Sequence, residues 1–211
     1  MQDDRLMAPD GFGNDVNIDA LITCDAAAEL ARSLKTWRAL RRLKQVRAAE
    51  LLGVSQATIS RWENGLLAPT PAEQAAIRML LAARLGSTAD HQLAALVSQS
   101  ARPMHLICDL THRLLAWSPA RAREAVRQDN LIGTSLWRFA SDELRDIERQ
   151  LPELGWYQPA PPAVSGYTGA NRARDFRIRP SRFRFTRFQL SDGSYARLVE
   201  TLTGHEIRQA A

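Results

Sequence analysis

The sequence predicts a chain of two parts, an all-α segment followed by an α+β segment with an antiparallel sheet. Three observations support this division. Apolar residues recur at spacings of three and four from Leu30 to Leu43, as on one face of a helix. Gly53 and Gly65 each follow a short segment predicted to be helical, and glycine at such a position commonly ends a helix. After Pro103 the pattern changes to short apolar runs and strict alternation, which is typical of strands.

The first part of the chain is expected to hold four helices and a connecting helix. Their predicted ranges are 25–43, 45–52, 56–64, 71–85 and 91–100. Ser55 stands where it can cap the third helix, and Pro71 suits the first turn of the fourth. Apolar residues at helical spacing mark the buried sides of the last two, namely Ala75, Ile77, Leu80 and Leu81 in one and Leu93, Leu96 and Val97 in the other.

The second part is expected to mix strands and helices. The predicted elements are a hairpin over 105–117, helices over 119–127 and 141–151, a loop over 159–169, and strands over 182–190 and 195–201. In the strand over 182–190, arginines alternate with Phe183, Phe185 and Phe188. Such alternation is typical of a half-buried strand, so the arginines of 172–187 are expected on its solvent face. The alternative is that this run contacts nucleic acid or an acidic partner.

Charge is distributed unevenly along the chain. The net charge of the 211 residues is +5. Residues 1–31 nevertheless hold seven acidic side chains against one basic, and residues 32–84 hold ten Lys or Arg against three acidic. A compact basic segment is the footprint expected of a phosphate-binding surface. A solvated basic face would have the same charge, so charge alone does not distinguish it from a phosphate-binding surface. The sequence motif within this segment distinguishes the two.

Composition narrows the class of protein. No run approaches the roughly 20 uninterrupted apolar residues of a membrane span, and the acidic N-terminal stretch is unlike a secretory or transit peptide. Cys24 and Cys108 are too few and too far apart for a disulfide framework. We therefore expect a cytoplasmic protein with no membrane partner. Its predicted divisions are an acidic disordered tail (1–24), a helical domain (25–86), a connecting helix (87–102), a second domain (103–202) and a tail (203–211).

Residues 45–65 read Q-V-R-A-A-E-L-L-G-V-S-Q-A-T-I-S-R-W-E-N-G, and nearly every position has a defined role. The small Ala49 lets two helices cross closely, and Gly53 makes the turn between them. Three apolar side chains are expected to point back into the core: Val54, Ile59 and Trp62. With Ser55 as its cap, the third helix has an exposed N-terminal end that is free to enter a major groove.

The sequence of this segment resembles that of the lambda-repressor-like family of helix-turn-helix regulators, also called the XRE family. The resemblance covers roughly residues 34–85 and is carried most specifically by L-G-V-S-Q-A-T-I-S-R-W-E-N-G at 52–65. It implies that the glutamine opening the second helix, Gln45, braces the glutamine opening the third, Gln56. The implied partner is double-stranded DNA.

Two sets of DNA contacts follow from the resemblance and from side-chain chemistry. Base edges are expected to be read by the outward residues of the third helix, Gln56, Ala57, Ser60 and Arg61. Glutamine can pair with adenine, arginine with guanine, and an alanine methyl can touch a thymine methyl. Phosphates are expected to be held by Gln45, Ser55, Asn64, Arg42 and Arg47. The resemblance also implies an ion pair between Arg38 and Glu63.

Three stretches of the second part resemble a PAS domain. They are H-L-I-C-D-L-T-H-R-L-L-A-W-S-P-A at 105–120, L-I-G-T-S-L-W-R-F at 131–139 and F-R-F-T-R-F-Q-L-S-D-G-S-Y-A-R-L-V-E at 183–200. Similar sequences occur in the PAS-like ligand-binding domain of MmyB-type regulators. The resemblance implies a sensor or dimerisation module that encloses a small apolar cavity, with a small apolar ligand as its candidate occupant. No cofactor is expected, because the reactive-cysteine run of flavin-binding PAS domains does not occur.

His105, Cys108 and His112 form the one candidate metal set in this part of the sequence. Their spacing falls across a strand and a turn, so Cys108 and His112 need not face the same way. We therefore expect Cys108 to be a small core residue and predict no metal site.

Two classes of function compete for this chain. The first is a transcriptional regulator, a repressor that binds a palindromic operator as a homodimer and is modulated through the second domain. The alternative is an enzyme or a protein-binding adaptor that the helix-turn-helix targets to DNA. An enzyme needs a catalytic constellation in residues 103–202, which hold two histidines, no glycine-rich phosphate loop and no triad candidates. We therefore predict a regulator and not an enzyme.

Overall fold

The computed structural model describes residues 18–125 and 131–202, with side chains described from residue 27 onward. Residues 1–17 of the predicted acidic tail, the end of the helix predicted over 119–127, and the predicted tail over 203–211 lie outside the described residues. Within the described residues, no helix has both the length and the apolar character needed to cross a membrane.

The first four helices pack around one core. They span Ile18–Leu40 (α1), Gln45–Leu52 (α2), Gln56–Glu63 (α3) and Pro71–Leu81 (α4). Their buried apolar side chains are Leu30, Ala31, Leu34, Trp37, Ala48, Ala49, Ile59, Trp62, Ile77 and Leu81. The stripe predicted on the first helix is therefore its buried face. Because short helices are marginal on their own in water, this shared core is what holds α3 in place.

The first helix begins earlier than the sequence predicted. α1 starts at Ile18, so residues 18–24 are helical and do not belong to a disordered tail. The prediction gave most weight to the acidic charge of this stretch. The alanines at 26–28 are strong helix formers, and this propensity favours a longer helix.

The fourth helix ends earlier than predicted and is rotated from the expected phase. It stops at Leu81, and the chain then runs extended so that Ala83 is buried against the second domain. Ala75 is exposed, contrary to the prediction. Gln74 takes the buried place instead, and its Nε2 donates to the carbonyl of Pro69 at 3.0 Å. A buried amide is tolerated there because it is hydrogen-bonded.

The connecting helix, α5, spans Thr88–Gln99 and starts three residues before the predicted 91. Ser87 and Asp90 form a capping box that fixes this earlier start. Val97 is buried against the sheet and Leu93 is half-buried beside it, whereas Leu96 is 69% exposed. Leu93 and Val97 are four residues apart and share one face of the helix, whereas Leu96 is adjacent to Val97 and points elsewhere. The prediction that all three residues lie on one side of the helix is therefore wrong for Leu96.

Five strands form one antiparallel sheet in the order β2-β1-β5-β4-β3. They span Met104–Cys108 (β1), Leu114–Trp117 (β2), Val164–Thr168 (β3), Ser181–Gln189 (β4) and Tyr195–Thr201 (β5). In the central strand, Val199 pairs with His105 on one side and with Phe185 on the other. The predicted fold class, a helical domain followed by an α+β domain with an antiparallel sheet, is confirmed.

One strand lies where the sequence predicted a loop. β3 falls within 159–169, a stretch whose proline, glycine and alanine content favours a loop on local grounds. Pairing with β4 overrides this, because it satisfies the backbone hydrogen bonds of Val164 to Thr168. Gly166 allows a close approach there, since a Cβ atom at this position would force the ends of the Ile147 and Phe183 side chains to shift.

The sheet has two different faces. α5 covers one face, where Leu106 and Cys108 point. The other face is covered by α6 (Pro119–Ala122), α7 (Asp142–Gln150) and a 3₁₀ turn at Trp137–Phe139. His105 and Ile107 point to this second side. The middle helices expected over 131–139 are thus represented, within the described residues, by a single 3₁₀ turn.

Charged side chains are buried at the end of the sheet nearest the helical domain. Asp109 has no exposed surface and pairs with Arg187 at 3.0 Å and Arg197 at 2.8 Å. Arg197 also pairs with Glu148 at 2.6 Å. The expectation that the arginines of 172–187 face solvent is therefore wrong for Arg187. Arg187 is two residues from Phe185 and therefore lies on the buried face of β4, where Asp109 supplies the acidic partner that a buried cation needs.

Candidate nucleic-acid interface and cavity

The turn before α3 determines how that helix is presented. Gly53 has a φ of 67°, a left-handed conformation that glycine adopts without a Cβ penalty. Ser55 Oγ accepts from the Thr58 amide at 3.1 Å and so caps the helix. Ile59 and Trp62 are buried beneath it. Because α3 has only about two turns, burying this side leaves the other side and the N-terminal end free.

The free side of α3 carries the residues predicted to read bases. Gln56, Ala57 and Arg61 are exposed, and Ser60 is half-buried. The short side chains at 57 and 60 leave room for a groove wall to approach the helix. Gln56 and Arg61 stand at either end of this surface with side chains that can donate hydrogen bonds to base edges.

A hydrogen-bond network ties α3 to α1 and α2. Glu63 accepts from Arg38 Nε and Nη2, each at 2.8 Å, and from Gln45 Nε2 at 2.9 Å. Gln45 Oε1 in turn accepts from Gln56 Nε2 at 2.6 Å. Burial favours the neutral form of Glu63, but the bonds from Arg38 and Gln45 outweigh it and hold the pKa of that carboxyl below its ordinary value. Arg38, Glu63, Gln45 and Gln56 therefore form one connected group.

Four of the residues predicted to hold phosphates lie before or at the N-terminal ends of α2 and α3, whereas Asn64 is at the C-terminal end of α3. Ser55, Asn64, Arg42 and Arg47 are exposed, whereas Gln45 is half-buried by its part in the network. Arg47 pairs with Glu50 at 2.7 Å in a solvent-exposed contact. Such exposed pairs are weak, so this one leaves Arg47 available to a stronger anion.

Lys44 is an exposed cation that the sequence reasoning passed over. It lies at the N-cap of α2 and makes no side-chain cap hydrogen bond there. Its place between Arg42 and Arg47 in the same basic stretch is the signal that points to it.

A cavity of about 100 Å³ lies between the sheet and the helices on its second face. Its wall is largely apolar, with Ile107, Leu136, Phe139, Leu144, Phe176, Ile178, Phe183 and Phe185 among the lining side chains. Polar side chains from β1, α6 and β5 also reach it, namely His105, Arg121, Arg197 and Thr201. The second domain therefore has a largely apolar cavity in this place, with polar side chains in part of its wall that were not predicted.

The candidate metal set is divided by the sheet. His105 lines the cavity, while Cys108 lies on the opposite face, where its Sγ accepts from the Ala83 amide at 3.3 Å. Within residues 18–125 and 131–202, no group of three or more potential ligand side chains converges on a metal position. Cys108 is buried, in agreement with its predicted place in the core.

The second domain touches α1 through His112, in the turn between β1 and β2. His112 Nδ1 lies 3.8 Å from Glu29 Oε1 of α1, and Nε2 lies 3.4 Å from Glu148 Oε1 of α7. The imidazole also stacks on Trp137 with ring centroids 4.6 Å apart. Burial raises the pKa of Glu29 to about 7, against the lowering effect of His112. His112 has a φ of 54°, which non-glycine residues seldom adopt and which often marks a functional position.

Comparison with known proteins covers the two domains separately. Residues 34–76 match the model of a family described as helix-turn-helix. The match takes in 43 of the 211 residues, from the second half of α1 into α4. The predicted helix-turn-helix is therefore confirmed for this stretch. No curated protein matches the sequence.

Three solved structures are similar to the chain, each with a TM-score of 0.39. The PAS domain of an HTR-like protein from Haloarcula marismortui is 16% identical and is matched over 54% of this chain and 90% of its own. A PAS domain from a two-component sensor histidine kinase is 15% identical, over 53% and 93%. An RNA-binding light-oxygen-voltage receptor is 11% identical, over 96% and 67%. Similarity at this level transfers no ligand or partner to this chain.

Proposed function

Because residues 34–76 of this chain are a helix-turn-helix domain, we propose that the protein is a sequence-specific DNA-binding transcriptional regulator. The observation that carries this proposal is the presentation of α3. Its exposed side holds Gln56 and Arg61, and the network through Glu63 holds the helix against α1 and α2. Preorganised side chains lose less conformational freedom on binding, which favours a defined contact with a groove.

The readout follows from the chemistry of the exposed side chains. Arg61 would make a bidentate contact to guanine, Gln56 a contact to adenine, and the Ala57 methyl a contact to a thymine methyl. Ser60 would add a polar contact to a neighbouring base. Gln56 is braced by Gln45 through one of its two amide hydrogens, which leaves its second amide hydrogen and its oxygen for the base.

Phosphate contacts would fix the register of α3 in the groove. The proposed phosphate-contacting residues are Gln45, Ser55, Asn64, Arg42 and Arg47. They come from the ends of the helices around α3, within the segment that holds ten basic and three acidic side chains. Contacts of this kind add affinity for any sequence and carry no base information.

A homodimer on a palindromic operator would supply the selectivity that one domain lacks. A single helix-turn-helix reads only a few base pairs, which is too little to select one site in a genome. Two copies related by a two-fold axis would reach major-groove faces about 34 Å apart. We propose a repressor, since a dimer seated on an operator occludes the DNA that it covers.

The second domain would modulate this binding through its contact with α1. His112 and Glu148 line the cavity, and His112 also faces Glu29 of α1. The same helix carries Arg38, which holds Glu63 of α3. A change in the cavity wall could therefore bias the position of α1, and with it the presentation of α3.

The experiment is selection of duplexes from a random pool by the full-length protein. The proposal predicts enrichment of an imperfect palindrome with half-sites about one helical turn apart. Recovery of duplexes with no shared sequence, at an affinity set by salt alone, would reduce the protein to a non-specific binder and refute the proposal.

A further inference from the structure

The cavity of the second domain has a size that limits what it can hold. Its volume is about 100 Å³. A cavity of about 150 Å³ lined by apolar side chains is large enough to bind benzene. The smaller volume here therefore suits a molecule of about four to six non-hydrogen atoms.

Three nitrogen atoms of side chains that line the cavity have no hydrogen-bond partner among the described residues. One is His112 Nε2, which lies 3.4 Å from the carboxylate of Glu148. The other two are Nε of Arg121, on α6, and Nδ1 of His105, on β1. The Arg121 side chain is only 9% exposed, and its other nitrogens are committed: Nη1 donates to Glu124 and Nη2 to Thr201, each at 2.6 Å. A buried donor without an acceptor carries a desolvation penalty, which a ligand oxygen at this place would remove.

Charge at this end of the cavity favours an anionic ligand. The charge of Arg197 is already balanced by Asp109 and Glu148. Arg121 has one acidic partner, Glu124, whose side chain is 22% exposed and therefore shared with solvent. A carboxylate beside Arg121 Nε would accept a charge-assisted hydrogen bond, which is stronger than one between neutral groups.

His105 can supply the second hydrogen bond to such a ligand. Burial, reinforced by the nearby charges of Arg121 and Arg197, holds the pKa of His105 well below its ordinary value. The imidazole is therefore neutral, and in the tautomer with its proton on Nδ1 it can donate one hydrogen bond from that atom to a ligand. Much of the remaining wall is apolar, with Phe139, Phe176 and Phe183 among its side chains, and suits the apolar body of a ligand.

We propose that this cavity binds a short-chain carboxylate. Its two oxygens would accept from Arg121 Nε and His105 Nδ1, and a hydrocarbon part of about two to four carbons would lie against the phenylalanines. The proposal rests on the proposed function in one respect, since it names the ligand class that the modulating domain would report.

The test is binding of butyrate and of butyramide, its neutral amide of the same shape, to the full-length protein. Methyl resonances of Ile107 and Ile178, which line the cavity, report occupancy, and Ile59 beneath α3 is the reference. Butyrate is expected to shift the first two with a Kd of about 1 mM or below. Butyramide should bind at least about tenfold more weakly, because it offers no charge to Arg121. Octanoate is too long for the cavity and should bind more weakly than butyrate.

Equal binding of butyramide and butyrate, tighter binding of octanoate, or no shift at Ile107 and Ile178 would each overturn the proposal. Arg121→Gln should weaken butyrate binding at least about tenfold, while Arg123→Gln, an exposed change beside it, should not. If Arg121→Gln does not fold, the comparison of butyrate, butyramide and octanoate binding to the wild-type protein still tests the proposal.

Duplex binding measured on the same samples separates this proposal from the proposed function. Butyrate binding without preference for any DNA sequence would retain the carboxylate site and refute the regulator. Sequence-specific DNA binding without butyrate binding would refute the carboxylate site alone.

Discussion

Glu63 is an acidic side chain beside a surface proposed to bind phosphates. Arg38 and Gln45 donate three hydrogen bonds to it, so its charge is balanced within the protein. Its side chain is also almost fully buried. Because a paired, buried carboxylate projects little field, Glu63 can anchor α3 without repelling DNA.

Arg47 tests the division between phosphate contacts and base contacts. Arg47→Ala should weaken binding to all duplexes by a similar factor, because a phosphate contact carries no base information. The slope of log K against log salt concentration should become shallower by about 1. The measurement is a salt titration of duplex binding by the full-length protein.

The matched control for Arg47 is Arg123→Ala, which removes an exposed arginine from the second domain. It should leave the salt slope unchanged. A slope that stays the same in Arg47→Ala, or a loss confined to one base pair, would contradict the phosphate role of Arg47.

At the scale of elements, the Arg38–Glu63 pair joins α1 to the end of α3. Arg38→Met leaves Glu63 nearly buried and without its cation, which should lower the free energy of unfolding by roughly 3 kcal/mol. Adding Glu63→Gln should restore part of this loss, because no unpaired charge then remains. Urea unfolding of the two variants and the wild type measures both effects. A loss in Arg38→Met no larger than the roughly 0.5 kcal/mol of an exposed pair would show that the contact does not anchor α3.

Glu29 makes the contact between α1 and the second domain sensitive to pH. The groups facing it are His112, Glu148, Arg32 and Arg145. Its pKa is about 7 in the folded protein against 4.5 ordinarily, so between these values the folded state holds more protons. The free energy of unfolding should therefore fall as pH rises through this window, by up to roughly 3 kcal/mol.

Glu29→Gln should abolish this fall, because the side chain no longer titrates. The melting temperature at about pH 5 and about pH 8 measures it, and Glu50→Gln, an exposed change, is the control. An unchanged pH dependence in Glu29→Gln would mean that Glu29 is not the responsible group.

Local signals made α2 and α3 predictable to within a residue. Gly53 and Ser55 act on the backbone beside them, so their effect can be read from neighbouring residues. β3 forms only because β4 pairs with it, and a pairing between residues far apart in sequence leaves no local signal. Arg187 has the strand phase of the buried Phe183 and Phe185, but its charge argued for solvent, because its partner Asp109 lies far away in the sequence.

The residues of the candidate sites also fall into two groups, those that could be identified from the sequence and those that could not. The exposed residues of α3 could be named from the sequence, since burying Ile59 and Trp62 determines which side stays free. The unpaired nitrogens of Arg121 and His105 come from two elements that only the sheet brings together. The only sequence feature that pointed to these nitrogens was a histidine within the apolar run of β1.

At the scale of the whole molecule, both domains expose apolar side chains that could join two copies. Leu96 on α5 is 69% exposed, and Leu66 after α3 is 77% exposed. We propose that the dimer forms mainly through residues 87–202, which include Leu96. Leu96→Glu should therefore raise the dissociation constant of the dimer at least about tenfold, because it places a charge in an apolar contact.

Leu66→Glu is the matched control for Leu96→Glu, and sedimentation of the full-length proteins measures both. It should leave the dimer intact. Dissociation by Leu66→Glu and not by Leu96→Glu would move the interface to the helical domain.

The central claim is that the exposed side of α3 reads base sequence, and Arg61 tests it most directly. Duplexes would be selected in parallel by the wild-type protein and by Arg61→Ala. In Arg61→Ala we expect one base pair in each half-site to lose its preference, at a cost of about 1–3 kcal/mol on the wild-type site, while the preferences at the other positions are kept. The same preference at every position in both selections would contradict it.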